Sequence, residues 1–158
     1  MMINKVCQHL IDNNITISSI ESLTGGLFAS TITEVPGISK VFQGGLVTYT
    51  NDIKENVLGV KKSTLETYGA VSKECVREML LQGYNVFVTD IVVALSGNAG
   101  PSASEGKPVG LVYIGYMING ELHIHEHNFT GTREEIRKQC IFTVFANLYE
   151  LFLGKIEK

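Results

Sequence analysis

Cysteine is scarce in this chain: Cys7, Cys75 and Cys140 are an odd number at wide spacings. They form neither a C-x-x-C pair nor a disulfide framework. This fits a reducing compartment, so a cytoplasmic protein with its thiols packed in the core is expected. Long apolar runs are missing as well, since the longest charge-free run near a strand, Val109 to Ile118, is half of what a bilayer span requires. Asn4, Lys5, Gln8, His9 and Asp12 break up the first residues, and no secretory signal is expected there. Positive charge is in deficit, with 13 Lys plus Arg against 16 Asp plus Glu for a net charge of −3. No overall field recruits nucleic acid or an anionic membrane, and any anion site has to be local.

What is present is enough apolar material for a core. Hydrophobic residues make up 44% and charged residues 18% of 158 positions, which excludes a disordered chain. That length predicts a single domain over 1–158 that needs no staple of disulfide or metal.

Periodicity then divides the chain. Ile3, Val6, Cys7, Leu10 and Ile11 recur at helical spacing over 3–12, and I-T-I-S-S-I (15–20) reads as a strand. A helix from Leu27 to Val35, a strand around Gly45–Thr50 and a short helix from Asn51 to Leu58 follow. Ser63-Thr64-Leu65-Glu66 predicts a capped helix, and Ser72 a longer one to about Tyr84. D-I-V-V-A-L-S (90–96) and K-P-V-G-L-V-Y-I-G-Y-M-I (107–118) are apolar on both faces, as strands sandwiched between layers are. Asn119-Gly120 predicts a hairpin returning through Glu121–Phe129, and Thr132-Arg133-Glu134-Glu135 a capping box opening a last helix. The order predicts a three-layer α/β/α sandwich with a mixed five-stranded sheet.

Several stretches could carry chemistry. Gly100 to Lys107 imitates a phosphate-binding P-loop, but five residues separate its glycines and Pro108 stands where Ser or Thr would bind magnesium. Ser104-Glu105-Gly106-Lys107 matches S-x-x-K, yet Gly106 and Pro108 oppose the helix that pattern needs. His123, His125 and His127 share a strand face, with the outer pair about 13 Å apart, so the three cannot share one ion and an exposed hairpin face is expected.

More informative is E-S-L-T-G-G (21–26), which joins a strand's carboxyl end to a helix start. Its Thr24, Gly25 and Gly26 amides could cradle an anion, unless Ser22 or Thr24 is simply an N-cap. In T-Y-T-N-D-I-K (48–54), Asn51 is the expected cap. Lys54 then opposes the helix dipole, which depresses its pKa and suits it to take a proton from a serine; a solvated surface lysine is the alternative. S-G-N-A-G-P (96–101) is a turn at the same sheet edge, or a plain loop. Arg133 and Arg137 share a helix face at i,i+4, as a phosphate clamp or as ordinary surface arginines.

Taken in order, E-S-L-T-G-G (21–26), G-G-L-V-T-Y-T-N-D-I-K (44–54), Y-G-A-V-S (68–72), S-G-N-A-G-P (96–101), K-P-V-G (107–110) and F-T-G-T-R-E-E-I-R (129–137) resemble the CinA carboxy-terminal domain family, the nicotinamide-nucleotide amidases. The resemblance spans nearly the whole chain. It implies hydrolysis of the carboxamide of nicotinamide mononucleotide to nicotinate mononucleotide and ammonia, a step of pyridine nucleotide salvage, without metal or cofactor. It places the nucleophile on Ser22 and its helpers on Tyr49 and Lys54. Thr24, Gly25, Gly26, Ser96, Gly97, Asn98 and Gly100 would then surround the substrate, and Lys107, Arg133 and Arg137 would hold its phosphate. In that family the domain stands alone or follows an amino-terminal domain, and the resemblance leads us to expect the stand-alone form over these 158 residues.

The chain departs from the family pattern at Leu23, where cysteine is usual, at Asn98, and in S-A-S-E-G (102–106), which lacks paired glycines and borders the expected substrate. A non-catalytic nucleotide-binding or competence- and damage-related interaction module, or an amidase for another small amide, are the competing functions. Apolar residues near the hairpin would allow a homodimer.

Overall fold

The computed structural model describes residues 1–154. Helix α1 (Met2–Asp12) leads into β1 (Ile17–Glu21), α2 (Leu27–Ile32), a 3₁₀ turn (Ile38–Lys40) and β2 (Phe42–Val47). Helix α3 (Asn51–Ile53) continues as a π-turn (Lys54–Leu58), followed by α4 (Lys62–Tyr68) and α5 (Lys73–Phe87). Strands β3 (Ile91–Gly97), β4 (Leu111–Ile118) and β5 (Glu121–Asn128) and helix α6 (Arg133–Leu153) complete the order. The strands form one sheet in the order β2-β1-β3-β4-β5, parallel across the first three and antiparallel beyond. It is the mixed sheet of a three-layer α/β/α domain.

Two apolar clusters explain the layers. One packs Leu10 of α1, Phe28 of α2 and Ile136 and Phe145 of α6 on one sheet face; the other packs Met79 and Leu80 of α5 with Val60 and Leu65 on the opposite face. Nearly all of β3 and β4 is buried between them, as their apolar runs require, and so is β1, although Ser18, Ser19 and Glu21 interrupt its apolar residues. The three cysteines lie in these cores, and burial pushes their thiols up to about 11 for Cys7 and about 12 for Cys75 and Cys140. No described helix is long and apolar enough to cross a membrane.

Local signals succeeded where they close on themselves. The Ser72 and Thr132 hydroxyls cap α5 and α6, the latter in a complete capping box, and Asn119 and Gly120 take the positive φ values of a tight hairpin turn. The Ser63 box does not form. Helix α4 starts one residue earlier, at Lys62, without a side-chain cap; the amide of Lys61 instead meets the Glu78 carboxylate at 3.0 Å. β2 begins and ends three residues before the expected segment, which frees Thr48–Thr50 for the turn into α3. On β5, His123 and His125 are exposed as expected, but His127 is half-buried, stacked on Phe129 with its Nε2 unpartnered.

Connectivity fixes where a site can be. From β1 the chain crosses by α2 to β2 on one side, then by α4 and α5 to β3 on the other, so neighbouring strand ends diverge at β1 and β3. The crevice opens at their carboxyl ends. Helix α5 approaches this sheet closely because of Gly83: a Cβ there would lie 2.7 Å from Ile20 Cγ1 and 3.0 Å from Val92 Cγ1. Gly83→Ala gains about 1 kcal/mol of helix propensity but incurs overpacking of about 1–3 kcal/mol. The variant should unfold at a lower urea concentration than wild type; a raised midpoint would contradict this packing.

Candidate active site

The turn after β1 is held by a residue that local pattern does not reveal. Neither Ser22 nor Thr24 caps α2; Gly26 occupies the cap position at φ 98°. The buried Glu21 carboxylate takes over the capping, accepting the amides of Phe28 at 2.9 Å and Ala29 at 3.2 Å and the Thr24 hydroxyl at 2.6 Å. Arg137 donates to the Thr24 carbonyl at 3.0 Å from the side of α6. Of the amides expected to be free, that of Gly25 is spent on the Ser22 carbonyl at 3.0 Å. Successive strand residues face opposite ways, so with Glu21 anchored under α2, Ser22 is presented on the other side.

Lys54 meets it there. The Thr48 amide bonds the Glu21 carbonyl at 2.8 Å, extending the pairing of β1 and β2 by one residue. Thr50, not Asn51, then caps α3 by accepting the Ile53 amide, which makes Lys54 the fourth helical residue. The wide π-turn that follows, closed by Gly59, turns Lys54 inward until only 1% of it is exposed, so the surface-lysine alternative is excluded. Its Nζ lies 2.9 Å from Ser22 Oγ, 2.7 Å from the Thr48 carbonyl and 3.3 Å from the Tyr49 carbonyl.

Burial lowers the Lys54 pKa from 10.5, and the acidic groups of Cys75 and Glu105 oppose it more weakly. A neutral amine has two N–H bonds and one lone pair. As an ammonium, Lys54 donates to the Thr48 and Tyr49 carbonyls and to Ser22 Oγ; once neutral, its two N–H bonds stay with the carbonyls, which can only accept, and its lone pair faces the Ser22 hydroxyl. In that neutral form the geometry allows the serine proton to pass to the lysine.

A cleft of about 260 Å³ opens above the pair. Ser22, Leu23, Lys54, Tyr49 and Asn51 form one side, and Ser96, Gly97, Asn98 and Ala99 the end of β3. Ala70 and Val71 enter from the Y-G-A-V-S stretch, and Ser104 and Glu105 from the β3–β4 loop. Ser104 and Glu105 belong to the 102–106 loop expected to border the substrate, whereas Asn51, Ala70, Val71 and Ala99 carry no sequence signal of a site role.

Several expected contributors are committed elsewhere. The Ser96 hydroxyl bonds the Ala70 carbonyl, and Asn98 Oδ1 accepts the Gly100 amide, so both brace the cleft wall. Thr24, Gly25, Gly26 and Gly100 do not line the cleft. Nor does Lys107, whose ammonium is spent on the Tyr68 and Val71 carbonyls and on Glu105. The two arginines do not form a clamp: Arg137 holds the Thr24 turn, while Arg133 reaches the cleft rim and donates to the Gly100 carbonyl at 2.6 Å and the Tyr49 hydroxyl at 2.9 Å. Tyr49 thus touches Lys54 through its carbonyl and Arg133 through its phenol.

This fold and site define an α/β/α domain with a buried serine–lysine pair at the switch point of a mixed sheet. The chain belongs to the family described as CinA C-terminal domain, whose model matches residues 1–152. It is 50% identical over 128 residues to a competence-damage inducible protein of Bacillus subtilis (strain 168), covering 81% of this chain and 31% of that protein. It is 46% identical over 143 residues to a CinA-like protein of Petrotoga mobilis, covering 90% and 36%. The chain thus spans about a third of the length of these relatives. A competence-damaged protein (CinA) superfamily protein from Klebsiella pneumoniae 700603 superposes with a TM-score of 0.92 at 32% identity, over 96% of this chain and 95% of that one. The competence/damage inducible protein CihA from Agrobacterium tumefaciens gives 0.83 at 37% identity, over 96% and 94%.

The pairing of Ser22 with Lys54 is open to a test that needs no natural substrate. Acylation by 4-nitrophenyl acetate should rise with pH along a limb whose midpoint lies below 10.5, because the base is lost as pH falls through its lowered pKa. Lys54→Met should remove that limb and slow acylation by about 100-fold or more at pH 8. An unchanged rate would contradict the pairing.

Proposed function

We propose that this domain hydrolyses the carboxamide of nicotinamide mononucleotide to nicotinate mononucleotide and ammonia, with Ser22 as nucleophile and Lys54 as its base. The observation that carries this reading is the 2.9 Å contact between Lys54 Nζ and Ser22 Oγ at the floor of a polar cleft. An unactivated amide needs a nucleophile, a base, donors for the oxyanion and a proton for the departing nitrogen.

The steps follow from that placement. Lys54 takes the Ser22 proton as Oγ attacks the carboxamide carbon. The amides of Leu23 and Ala99 serve as oxyanion donors; both residues line the cleft, and neither amide has a protein partner among the described residues. Lys54 then delivers its proton to the leaving nitrogen, which departs as ammonia and leaves an acyl-serine. Water, deprotonated by the same amine, attacks the ester; the carboxylate leaves and Ser22 regains its proton. Tyr49 holds Lys54 through its carbonyl and, through its phenol, positions Arg133. Two of the five guanidinium N–H bonds of Arg133 are spent on protein, and the others are available to the substrate phosphate at the rim.

Purified protein incubated with nicotinamide mononucleotide should release ammonia, and Ser22→Ala should reduce release by about 1,000-fold or more while the mononucleotide still binds. Ammonia release undiminished in Ser22→Ala would refute the nucleophile. Wild-type protein that binds the mononucleotide without releasing ammonia would favour a binding module.

A further inference from the structure

The β3–β4 loop sets Glu105 on the cleft wall. A bridge between Ser104 and Lys107 tightens the turn, with Glu105 at φ 57°, a left-handed conformation uncommon for a residue other than glycine. From there the carboxylate crosses to the Y-G-A-V-S stretch, accepting the amides of Ala70 at 2.9 Å and Val71 at 3.2 Å, and pairs with Lys107 at 3.3 Å. Burial disfavours its charge, but the two amides and Lys107 outweigh it and hold the carboxyl below its ordinary value. Of this ion pair, Glu105 is among the residues that line the cleft and Lys107 is not. Arg133 stands at the rim.

We propose that Glu105 makes this cleft selective for amides carried on a cationic ring, an N-substituted pyridinium, over the same amide on a neutral ring. The inference rests on the amidase reading and adds a specificity residue to it. The ring nitrogen of a nicotinamide lies meta to the carbon bearing the carboxamide, so a positive charge there sits beside the reacting group held over Ser22 and Lys54. A carboxylate on the wall stabilises that cation, whereas unsubstituted nicotinamide has no charge to offer. The negative wall and the positive rim together match a ligand with a cationic ring and a more distant anion.

The test compares N1-methylnicotinamide, a cation without phosphate, with neutral nicotinamide. Ammonia release gives a kcat/KM for each, and inhibition of mononucleotide turnover gives the same comparison when turnover of the small amides is slow. Wild type should prefer the cation. Glu105→Gln, which keeps the size and removes the charge, should lower the cation-to-neutral ratio by about 10-fold, the effect of a charge pair partly screened by Lys107. Glu105→Asp, which keeps the charge but shortens the reach to Ala70 and Val71, should hold the ratio near wild type even if both rates fall.

In wild type, added salt should weaken inhibition by the cation and leave that by the neutral amide unchanged. A ratio unaltered in Glu105→Gln, or equal salt responses, would reduce Glu105 to a loop latch and overturn the selectivity alone. No ammonia from any of the three amides would overturn the amidase reading itself.

Discussion

A primary amine in a protein interior is the constraint on which the rest of this structure depends. An ammonium ion taken out of water costs several kcal/mol unless it is matched by acceptors or gives up its proton. Lys54 has two carbonyls and one hydroxyl around it, an arrangement a neutral amine satisfies with nothing left over. Those partners come from the ends of β1 and β2, so they converge only because the two strands are parallel neighbours and both stop at the same edge. Desolvation and topology together lower the pKa of this amine and set it against Ser22.

Much of the remaining polar material keeps that convergence in place. Glu21 ties the start of α2 to the end of β1, and Arg137 clasps the same turn from α6. Arg133, four residues earlier on the same helix, braces the loop after β3 and the Tyr49 side chain. Lys107 and Glu105 together fasten the β3–β4 loop to the residues before α5. Four loops far apart in sequence are thus locked around one cleft by charged groups that would otherwise be solvated. Surface ion pairs contribute little to stability, but hydrogen bonds from charged groups to buried backbone are stronger and fix geometry.

How far this was legible in the sequence depends on the range of the interaction. Features decided within a few residues were read correctly: the Thr132 capping box, the Ser72 cap, the Asn119-Gly120 turn and the doubly buried β3 and β4. The Ser63 box matched the pattern and failed, because Glu78 from α5 meets the start of α4 instead. Ser22 and Lys54 were found through the family motifs, while spacing alone left both open to a structural role. Glu21 was missed because its seven-residue reach to the Phe28 amide has no short-range signature. The split of Arg133 from Arg137 was invisible for a related reason, since i,i+4 spacing gives a shared face and says nothing of which carbonyls lie opposite.

The most direct measurement of the central claim is the titration of Lys54 itself, followed by NMR at its side-chain nitrogen in the folded protein. The account predicts a single midpoint below 10.5, with the neutral amine hydrogen-bonded to Ser22 above it. A midpoint at or above 10.5 would mean that the amine holds its proton against burial, and would contradict its assignment as the base for Ser22.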